Sequence, residues 1–265
     1  MQYTHKLPWP KGRLKALGRA LQSDETPPTD CPTYTEVLMW HHDLSVAVQE
    51  EIELHEWVSV ADRELLTSSR AKTLDTLVQK LDRERMTLDQ VQDLAGVRVD
   101  GQFTLSEQTE FASELARHFG VTEPNHIRDL RKLPHSGYRA VHVWLRLPAG
   151  RVEVQIRTEL QSAWANFYER LGDTFGRAIR YGGQPLDHGL PDEAGQMLQE
   201  IVETMHEVSE SNFQTELNGD TLHRLLDDPA VDRAGVQAAL ERYGRMHEES
   251  VDRLGRLSAK LDGPT

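Results

Sequence analysis

The segment HSGYRAVHVWLRLPAGRVEVQIRT, from His135 to Thr158, combines an alternating pattern with an unusual set of polar residues. Apolar residues alternate with polar ones on both sides of its Pro-Ala-Gly segment, which predicts two strands joined by a short turn. After the turn the polar positions hold a carboxylate and an amide between two guanidiniums: Arg151, Glu153, Gln155 and Arg157. An ordinary half-exposed strand carries Thr, Ser or Lys at such positions. This set raises the question of what lies against that face of the sheet.

A tight turn fixes the register of the hairpin. Either a two-residue turn at Ala149 and Gly150 or a four-residue loop from Pro148 to Arg151 gives the same cross-strand pairs. The expected pairs are Arg146 with Glu153, Trp144 with Gln155, and His142 with Arg157. One face is then apolar core, made of Val141, Val143, Leu145, Val152, Val154 and Ile156. The other face is polar and has Tyr138 at one end.

The polar face has two interpretations. It is either a solvated surface with cross-strand salt bridges, or a nucleotide site with guanidiniums for phosphate, a carboxylate for a metal and Tyr138 as a stacking surface. Transfer of a phosphoryl group needs a divalent metal, cations for the phosphates and a carboxylate near the attacking hydroxyl. Magnesium takes one or two carboxylates, and Asp93 with Glu153 could supply them. Asp93 alone, just before a strand, would be interpreted as an ordinary turn residue.

The composition limits the class of protein. With 265 residues, 38% of them apolar, the chain can form one large domain or one domain with helical additions. The single cysteine, Cys31, can form no intramolecular disulfide, and the N-terminus lacks the apolar core of a secretion signal. No window is long and apolar enough to span a bilayer. We therefore expect a cytoplasmic protein with no membrane partner.

Charge is unevenly distributed along the chain. The net charge of -13 argues against a protein that coats nucleic acid nonspecifically. Between residues 128 and 180, however, ten Lys or Arg residues accompany five acids. This locally positive segment suits a confined polyanion, such as a nucleoside triphosphate, better than a long duplex.

The periodicity of the chain changes twice. An irregular arm over 1–34 contains a short helix near 14–21, and helical spacing then extends from 35 to about 66. A second helix, capped by Thr73, places Lys80 and Arg83 together on one flank. The central part predicts strands over 95–101 and 126–130, the hairpin, and helices over 105–118 and 159–171. Two long acidic helices follow, over 193–217 and 236–262. The expected fold is therefore α/β (α+β), with a domain over 35–185 and a helical extension over 186–265.

Several motifs together carry a family resemblance. DLAGVRV (93–99), SGYRAVH (136–142) and VEVQIRT (152–158), followed by Trp164 and Ala165, resemble the synthetase domain of the RelA/SpoT family of alarmone synthetases. The likeness extends over residues 66 to 180. Ser-Arg-Ala-Lys (69–72) with Lys80 and Arg83 is similar to the basic ATP-binding segment of the family. Because no hydrolase domain precedes these motifs, the chain resembles the small, single-domain members.

The resemblance implies a nucleotidyltransferase-like mixed sheet flanked by helices. It also implies a GTP/GDP diphosphokinase that transfers pyrophosphate from ATP to the 3'-hydroxyl of GDP or GTP, making (p)ppGpp with Mg²⁺. The family's catalytic and magnesium-binding acids match Asp93 and Glu153. Its ATP-binding residues match Arg70, Lys72, Lys80, Arg83 and Arg98. Its acceptor-binding residues match Tyr138, His142, Gln155 and Arg157, with the tyrosine stacked on the acceptor base.

Four positions depart from the family pattern. Pro134 and Ser136 stand where many members carry a lysine and an asparagine that grip the guanine nucleotide. Ser162 stands where an acid or asparagine is common, and Glu169 where a histidine is expected. Two alternatives therefore stay open: a toxin-type relative that pyrophosphorylates the 3' end of tRNA, or a nucleotide-binding member with little turnover.

Two weaker signals complete the sequence. His41-His42-Asp43 is similar to the metal-binding pair of HD phosphohydrolases, but adjacent histidines on a helix point in different directions. We assign them a structural role. The apolar stripe formed by Met197, Ile201, Met205 and Val208 predicts packing of the first acidic helix or assembly of a homo-oligomer through the C-terminal helices.

Overall fold

The computed structural model describes residues 3–71, 74–121, 123–176, 179, 192–226 and 228–261. Its helices are α1 (Lys11–Ser23), α2 (Tyr34–Leu54), α3 (Leu74–Glu84), α4 (Leu105–His118), α5 (Glu159–Phe175), α6 (Asp192–Leu226) and α7 (Arg233–Leu261). Its strands are β1 (Leu65–Ala71), β2 (Ala95–Gly101), β3 (Ile127–Asp129), β4 (Val141–Leu147) and β5 (Gly150–Thr158). They form one mixed five-stranded sheet in the order β1-β2-β5-β4-β3, which confirms the predicted α/β class. None of the helices in this described part combines the length and apolar character needed to cross a membrane.

The region between residues 35 and 71 differs from its prediction. The helix expected to reach residue 66 ends at Leu54, whose side chain is 84% exposed. The side chain of Trp57 packs back onto the end of this helix, where its Nε1 donates a hydrogen bond to the carbonyl of Ile52. The unpredicted strand β1 then follows at the edge of the sheet. It buries only alternate positions, and those only partly, so its apolar pattern is weak.

The turn of the β4–β5 hairpin lies one residue earlier than predicted, at Pro148 and Ala149. Distant residues hold it there: the backbone N–H of Leu7 donates to the carbonyl of Pro148 (2.9 Å), and Trp40 Nε1 donates to that of Ala149 (2.8 Å). Gly150 begins β5 with φ of 144°, and a Cβ there would lie 3.2 Å from a methyl carbon of Leu44 on α2.

The predicted cross-strand pairs are therefore wrong. A two-residue turn between Leu147 and Gly150 sets Trp144, rather than Arg146, opposite Glu153. The cross-strand partner of each residue shifts by two positions. Because two is an even number, each side chain still lies on the predicted face of the sheet. The apolar face, Val141, Val143, Leu145, Val152, Val154 and Ile156, is fully buried.

The chain divides into two units that are interleaved in sequence. The first consists of Met1–Val99, Phe111–Arg128 and His142–Ile156. Besides the hairpin face, it has a core cluster beneath α1, α2 and α3 that includes Leu14, Leu17, Val37, Leu77 and Leu81. The predicted short helix of the N-terminal arm is thus part of a core.

The second unit consists of Asp100–Glu110, Asp129–Val141 and Arg157–Thr265. Its core joins α5 to α6 and α7 and includes Trp164, Phe167, Tyr168, Leu171, Leu198, Met205 and Leu254. Trp164 and Tyr168 stack with ring centroids 4.6 Å apart. In the α6 stripe, Met205, Ile201 and Val208 pack on this core, whereas Met197 is 65% exposed. The domain bounds and the homo-oligomer expected from the sequence stay predictions.

Candidate active site

Lys80 links two acids of the first unit that are distant in sequence. Lys80 projects from α3, and its Nζ lies 2.9 Å from Oδ1 of Asp93, two residues before β2. The charge of Lys80 also acts on Glu153, on β5. Burial favours loss of the proton from Lys80, but Asp93, Glu84 and Glu153 outweigh it, so the pKa of the ammonium is raised. Lys80, which is half-buried, therefore contacts Asp93 directly and acts on Glu153 through its charge.

Glu153 is held by donors from both strands of the hairpin. Its Oε1 accepts a hydrogen bond from Trp144 Nε1 (3.1 Å) and lies 3.3 Å from His142 Nδ1. Its Oε2 accepts a hydrogen bond from Gln155 Nε2 at 2.9 Å. We call Asp93, Lys80, Glu153 and these three donors the carboxylate cluster. Glu153 is only 9% exposed, so the polar face is not solvated at this residue, whereas Arg146 on the same face is exposed.

The ionisation of Glu153 follows from these neighbours. Burial by itself raises the pKa of a carboxyl group. Here the charge of His142, the hydrogen bonds from His142 and Gln155, and the charge of Lys80 outweigh burial. The pKa of Glu153 consequently lies well below its usual range. The side chain is therefore a fixed, ionised carboxylate whose oxygens can act as metal ligands.

The residues predicted to bind ATP fall into different surroundings. Arg83 lies at the end of α3, 42% exposed, with Nη2 2.9 Å from Oε1 of Glu84. Arg98 is half-buried on β2, between the buried Val97 and Val99, so its side chain leaves the opposite face. Arg70 lies in β1, where only its backbone is described, and Lys72 lies outside the described residues. Of this group, Lys80 is the residue that the structure brings to the carboxylate cluster.

Arg157 is the most buried cation of the second unit among the described residues, at 1% exposure. Its Nε and Nη2 donate to the two carboxylate oxygens of Asp100, at 2.9 and 3.1 Å. Ser162 Oγ also donates to Asp100, at 2.6 Å. Burial lowers the pKa of this guanidinium, but Tyr138, Asp100 and Glu169 outweigh it and raise the pKa. Arg157 is therefore always charged and aligned by a fork-like pair.

One nitrogen of Arg157 lacks an acceptor. Its Nη1 is buried and makes no hydrogen bond to any residue in the described ranges. A buried N–H without an acceptor costs about 1–3 kcal/mol. A fixed donor of this kind suits a ligand oxygen. The sequence did not single out Asp100, although it lies two residues after Arg98 in the alternating strand VRVDG and could have been found from that pattern.

Tyr138 follows a tight turn of left-handed residues. Ser136 and Gly137 have φ of 49° and 81°, and the backbone N–H of Tyr138 donates to the carbonyl of His135 at 3.0 Å. A Cβ on Gly137 would lie only 2.7 Å from Cζ2 of Trp164. Tyr138 itself is half-buried and packs against the α5 core. Packing therefore fixes its position, while its stacking role stays a prediction.

Helix α6 supports this turn and the residue after Tyr138. Ser209 Oγ donates to the carbonyl of Gly137, and Arg139 Nε donates to Ser209 Oγ at 3.0 Å. Arg139 Nη2 lies 2.6 Å from Glu210 Oε2, and its guanidinium lies 4.5 Å from the ring of Phe213. The sequence indicated no such role for the first acidic helix. No local pattern could reveal it, because the partners are about 70 residues apart.

The His41-His42-Asp43 segment has a structural role at its first residue. His41 is buried, and its Nδ1 lies 2.8 Å from the carbonyl of Val37 in the same helix. Burial lowers the pKa of this imidazole.

Comparison with protein families matches residues 69–171 to the region found in RelA / SpoT proteins. Two mycobacterial relatives, the uncharacterized proteins Rv1366 of Mycobacterium tuberculosis and Mb1401 of Mycobacterium bovis, are each 52% identical over 203 residues. Each alignment covers 76% of this chain and 72% of the relative. The chain belongs to the RelA/SpoT family.

Solved structures similar to this RelA/SpoT protein include two from other bacteria. Small alarmone synthetase 1 from Bacillus subtilis is 18% identical, with a TM-score of 0.46, over 72% of this chain and 98% of that one. A GTP pyrophosphokinase family protein from Streptococcus pneumoniae is 19% identical, with a TM-score of 0.44, over 73% of this chain and 98% of that one. The RelA/SpoT region contains Asp93, Glu153 and Arg157 and ends before α6.

Proposed function

We propose that this RelA/SpoT protein is an ATP-dependent pyrophosphokinase. It transfers the β,γ-pyrophosphate of ATP to the 3'-hydroxyl of GDP or GTP: the new O–P bond forms at the β-phosphate, the bond to the α-phosphate breaks, and (p)ppGpp, AMP and the hydroxyl proton are released. The observation that carries the proposal is the carboxylate cluster, in which Asp93 contacts the half-buried ammonium of Lys80 and the buried Glu153 acts on the same charge. Surface salt bridges gain little and need no burial, whereas phosphoryl-transfer sites combine metal-holding acids with cations for the phosphates.

The carboxylate cluster also fits a magnesium ion. Magnesium binds oxygen ligands and usually takes one or two carboxylates together with phosphate oxygens. Asp93 and Glu153 would hold it, since Glu153 is ionised and both carboxylates already balance a cation. When bound, the ion would neutralise the phosphate oxygens of ATP.

The protein's own side chains have separate roles in the proposal. Lys80, with Arg70, Lys72, Arg83 and Arg98, binds the ATP phosphates and base. Glu153, whose orientation is fixed by Trp144, His142 and Gln155, accepts a hydrogen bond from the 3'-hydroxyl of the acceptor. His142 and Gln155 also line the acceptor side.

Arg157 and Tyr138 bind the acceptor nucleotide. Arg157 donates through Nη1 to a phosphate oxygen, which satisfies the buried N–H that has no acceptor among the described residues. Tyr138 stacks on the base. The Asp100 fork keeps the guanidinium in one orientation, so little rotamer entropy is lost on binding.

A labelling assay tests the proposal. Purified full-length protein is incubated with Mg²⁺ and ATP labelled in its γ-phosphate, and with GDP, GTP or bulk tRNA in separate reactions. Label on the guanine nucleotide is the expected result. Label on RNA would instead support the tRNA alternative, and absence of label from all three acceptors would contradict an enzymatic function.

Amide variants test the carboxylate cluster. We expect Asp93→Asn and Glu153→Gln each to lower the rate of label transfer by about 100-fold or more, because each removes a charge that binds the metal. Glu84→Gln is the matched control, since Glu84 lies 4.0 Å from the same ammonium of Lys80 and has no proposed part in transfer. A thermal melt accompanies each assay. Full activity combined with a markedly lower melting temperature would assign the acids to structural ion pairing.

A further inference from the structure

Three side chains of the first unit whose atoms can act as metal ligands lie together outside the proposed active site. Glu51 and His55 are four residues apart at the end of α2, and His118 is the last residue of α4. One ligand atom from each lies within 4.8 Å of the others. Nε2 of His118 is 2.8 Å from Oε1 of Glu51, and the rings of His55 and His118 have centroids 4.1 Å apart. We call these residues the Glu-His-His triad.

We propose that the Glu-His-His triad binds a first-row transition-metal cation of the Zn²⁺ type. Two imidazole nitrogens and one carboxylate oxygen are a ligand set that Zn²⁺ accepts, with water or another small ligand in its fourth position. The same set disfavours Mg²⁺, which prefers oxygen ligands only. The site is therefore chemically distinct from the carboxylate cluster, and the inference does not depend on the proposed function.

The triad is held by a well-anchored scaffold. The loop after α2 is fixed to α4 by Glu114, whose carboxylate accepts hydrogen bonds from the backbone N–H groups of Val58 (3.0 Å) and Ser59 (2.9 Å). The ring of Trp57 packs edge-on against both histidines, with its centroid 4.3 Å from that of His55 and 5.3 Å from that of His118. The ligands thus need only a small rearrangement, and a metal bound here would join the ends of α2 and α4.

A cation can reach the triad from solvent. The side chain of Glu51 is 32% exposed and that of His118 is 22% exposed. His55 also lines a cavity of about 470 Å³, together with Glu56 and Arg63. This cavity gives solvent access to His55. Binding replaces the Glu51–His118 contact by two metal bonds, and His118 must then carry its remaining proton on Nδ1.

Cobalt and zinc titrations test the site directly. Full-length protein without an affinity tag is titrated with Co²⁺ in the presence of excess Mg²⁺, which occupies oxygen-ligand sites. We expect visible d–d bands of a low-coordinate Co²⁺ that saturate at one equivalent per chain and disappear when Zn²⁺ is added. Absence of these bands, together with no calorimetric heat of Zn²⁺ binding, would overturn the proposal and leave Glu51 and His118 as an ion pair.

Variants locate the metal. His118→Gln and Glu51→Gln should each weaken Zn²⁺ binding by at least about 10-fold; the second keeps a hydrogen-bonding group beside His118, so the fold is retained. His42→Gln is the matched control, because His42 is an exposed histidine of the same helix. It should bind Zn²⁺ as the wild type does, and so should Asp93→Asn. Zn²⁺ binding that survives in His118→Gln, or is lost in Asp93→Asn, would contradict the assignment.

Discussion

Arg157 is a buried side chain whose guanidinium makes a paired contact and has one further donor. Its fork to Asp100 uses two nitrogens and leaves Nη1 pointing at no acceptor within the described part of the chain. Arg157→Lys keeps the charge but cannot make the paired contact or present a second donor. Under the proposed function, we expect the KM for GDP or GTP to rise about 10-fold or more, with the KM for ATP nearly unchanged.

Arg151→Lys serves as the control for Arg157→Lys. Arg151 lies on the same strand, and its Nη1 donates to the carbonyl of Gln90 at 3.2 Å. Steady-state kinetics with both substrates varied should leave this variant close to the wild type. An equal rise of both KM values in Arg157→Lys would remove Arg157 from acceptor binding.

Glu216 is a buried acid whose neighbours do not compensate for burial. It lies on α6 and is 4% exposed. Thr158 and Gln161 donate hydrogen bonds to it, and Arg131 and Arg139 are close enough to stabilise its charge, yet burial raises its pKa to about 7. Near neutral pH the native state therefore binds this proton more tightly than the unfolded state does.

The stability of the protein should consequently fall with rising pH. The contribution of Glu216 is fully present below pH 4.5, the usual pKa of a glutamate, and is lost as the pH rises through its native pKa of about 7. A shift of this size corresponds to about 3 kcal/mol of unfolding free energy. Glu216→Gln mimics the protonated acid. Its free energy of unfolding, measured with urea, should therefore fall less than that of the wild type between about pH 5 and about pH 8. Equal pH dependence in wild type and variant would contradict the assignment.

At the scale of elements, the Ser136–Gly137 turn depends on close packing as well as on backbone conformation. Both Gly137 and Gly120 have positive φ, at 81° and 71°, but only Gly137 has a neighbour, Trp164, within 4 Å of an added Cβ. Gly120→Ala should cost about 1–2 kcal/mol from its left-handed conformation. Gly137→Ala should cost about 1–3 kcal/mol more, because the ring of Trp164 must move.

Urea unfolding of the two alanine variants separates these costs. The difference between them isolates the contacts with Trp164 and His206, since the backbone penalty is common to both. Two variants of equal stability would show that the α5 core yields at this point without cost.

The sequence predicts elements well where the pattern is local. The strand over 95–101 and the helix over 105–118 match β2 and α4 at both ends, because each has strong periodicity and glycine or polar boundaries. The sequence does not predict β1, because the half-buried positions of this edge strand include Thr and Ser. It also misplaces the hairpin turn, which Leu7 and Trp40 fix from more than a hundred residues away.

The candidate sites likewise contain some residues that the sequence predicts and others that only the structure reveals. Asp93, Glu153 and Lys80 were expected from motifs; in the structure Lys80 contacts Asp93 and its charge acts on Glu153, while their catalytic role stays a prediction. The Glu-His-His triad was not expected. Glu51 and His55 have helical spacing that suits a metal, but their partner His118 is 67 residues from Glu51 and becomes a neighbour only in the folded chain.

At the scale of the whole molecule, α6 supports the Ser136–Gly137 turn and Arg139 of the second unit. Arg139 is 5% exposed on its side chain, whereas Glu210, its partner, is 58% exposed. Glu210→Gln should therefore change stability by less than about 1 kcal/mol. If the proposed function holds, we expect the KM for the guanine nucleotide to rise several-fold through loosening of the turn before Arg139.

Glu203→Gln provides the matched control for α6. Glu203 is an exposed acid of the same helix and accepts a hydrogen bond from Gln199, much as Glu210 accepts one from Gln214. Its KM values should equal those of the wild type. Identical kinetics in both variants would show that α6 only supports the fold.

The interleaving of the two units also constrains how the polypeptide can be cut or synthesised. A fragment ending at Val99 lacks two of the three segments of the first unit, and one starting at Arg157 lacks two segments of the second. Neither unit can be excised as a contiguous piece. On the ribosome, the first must wait for Ile156 to emerge, while the second stays unfinished until α7 has emerged.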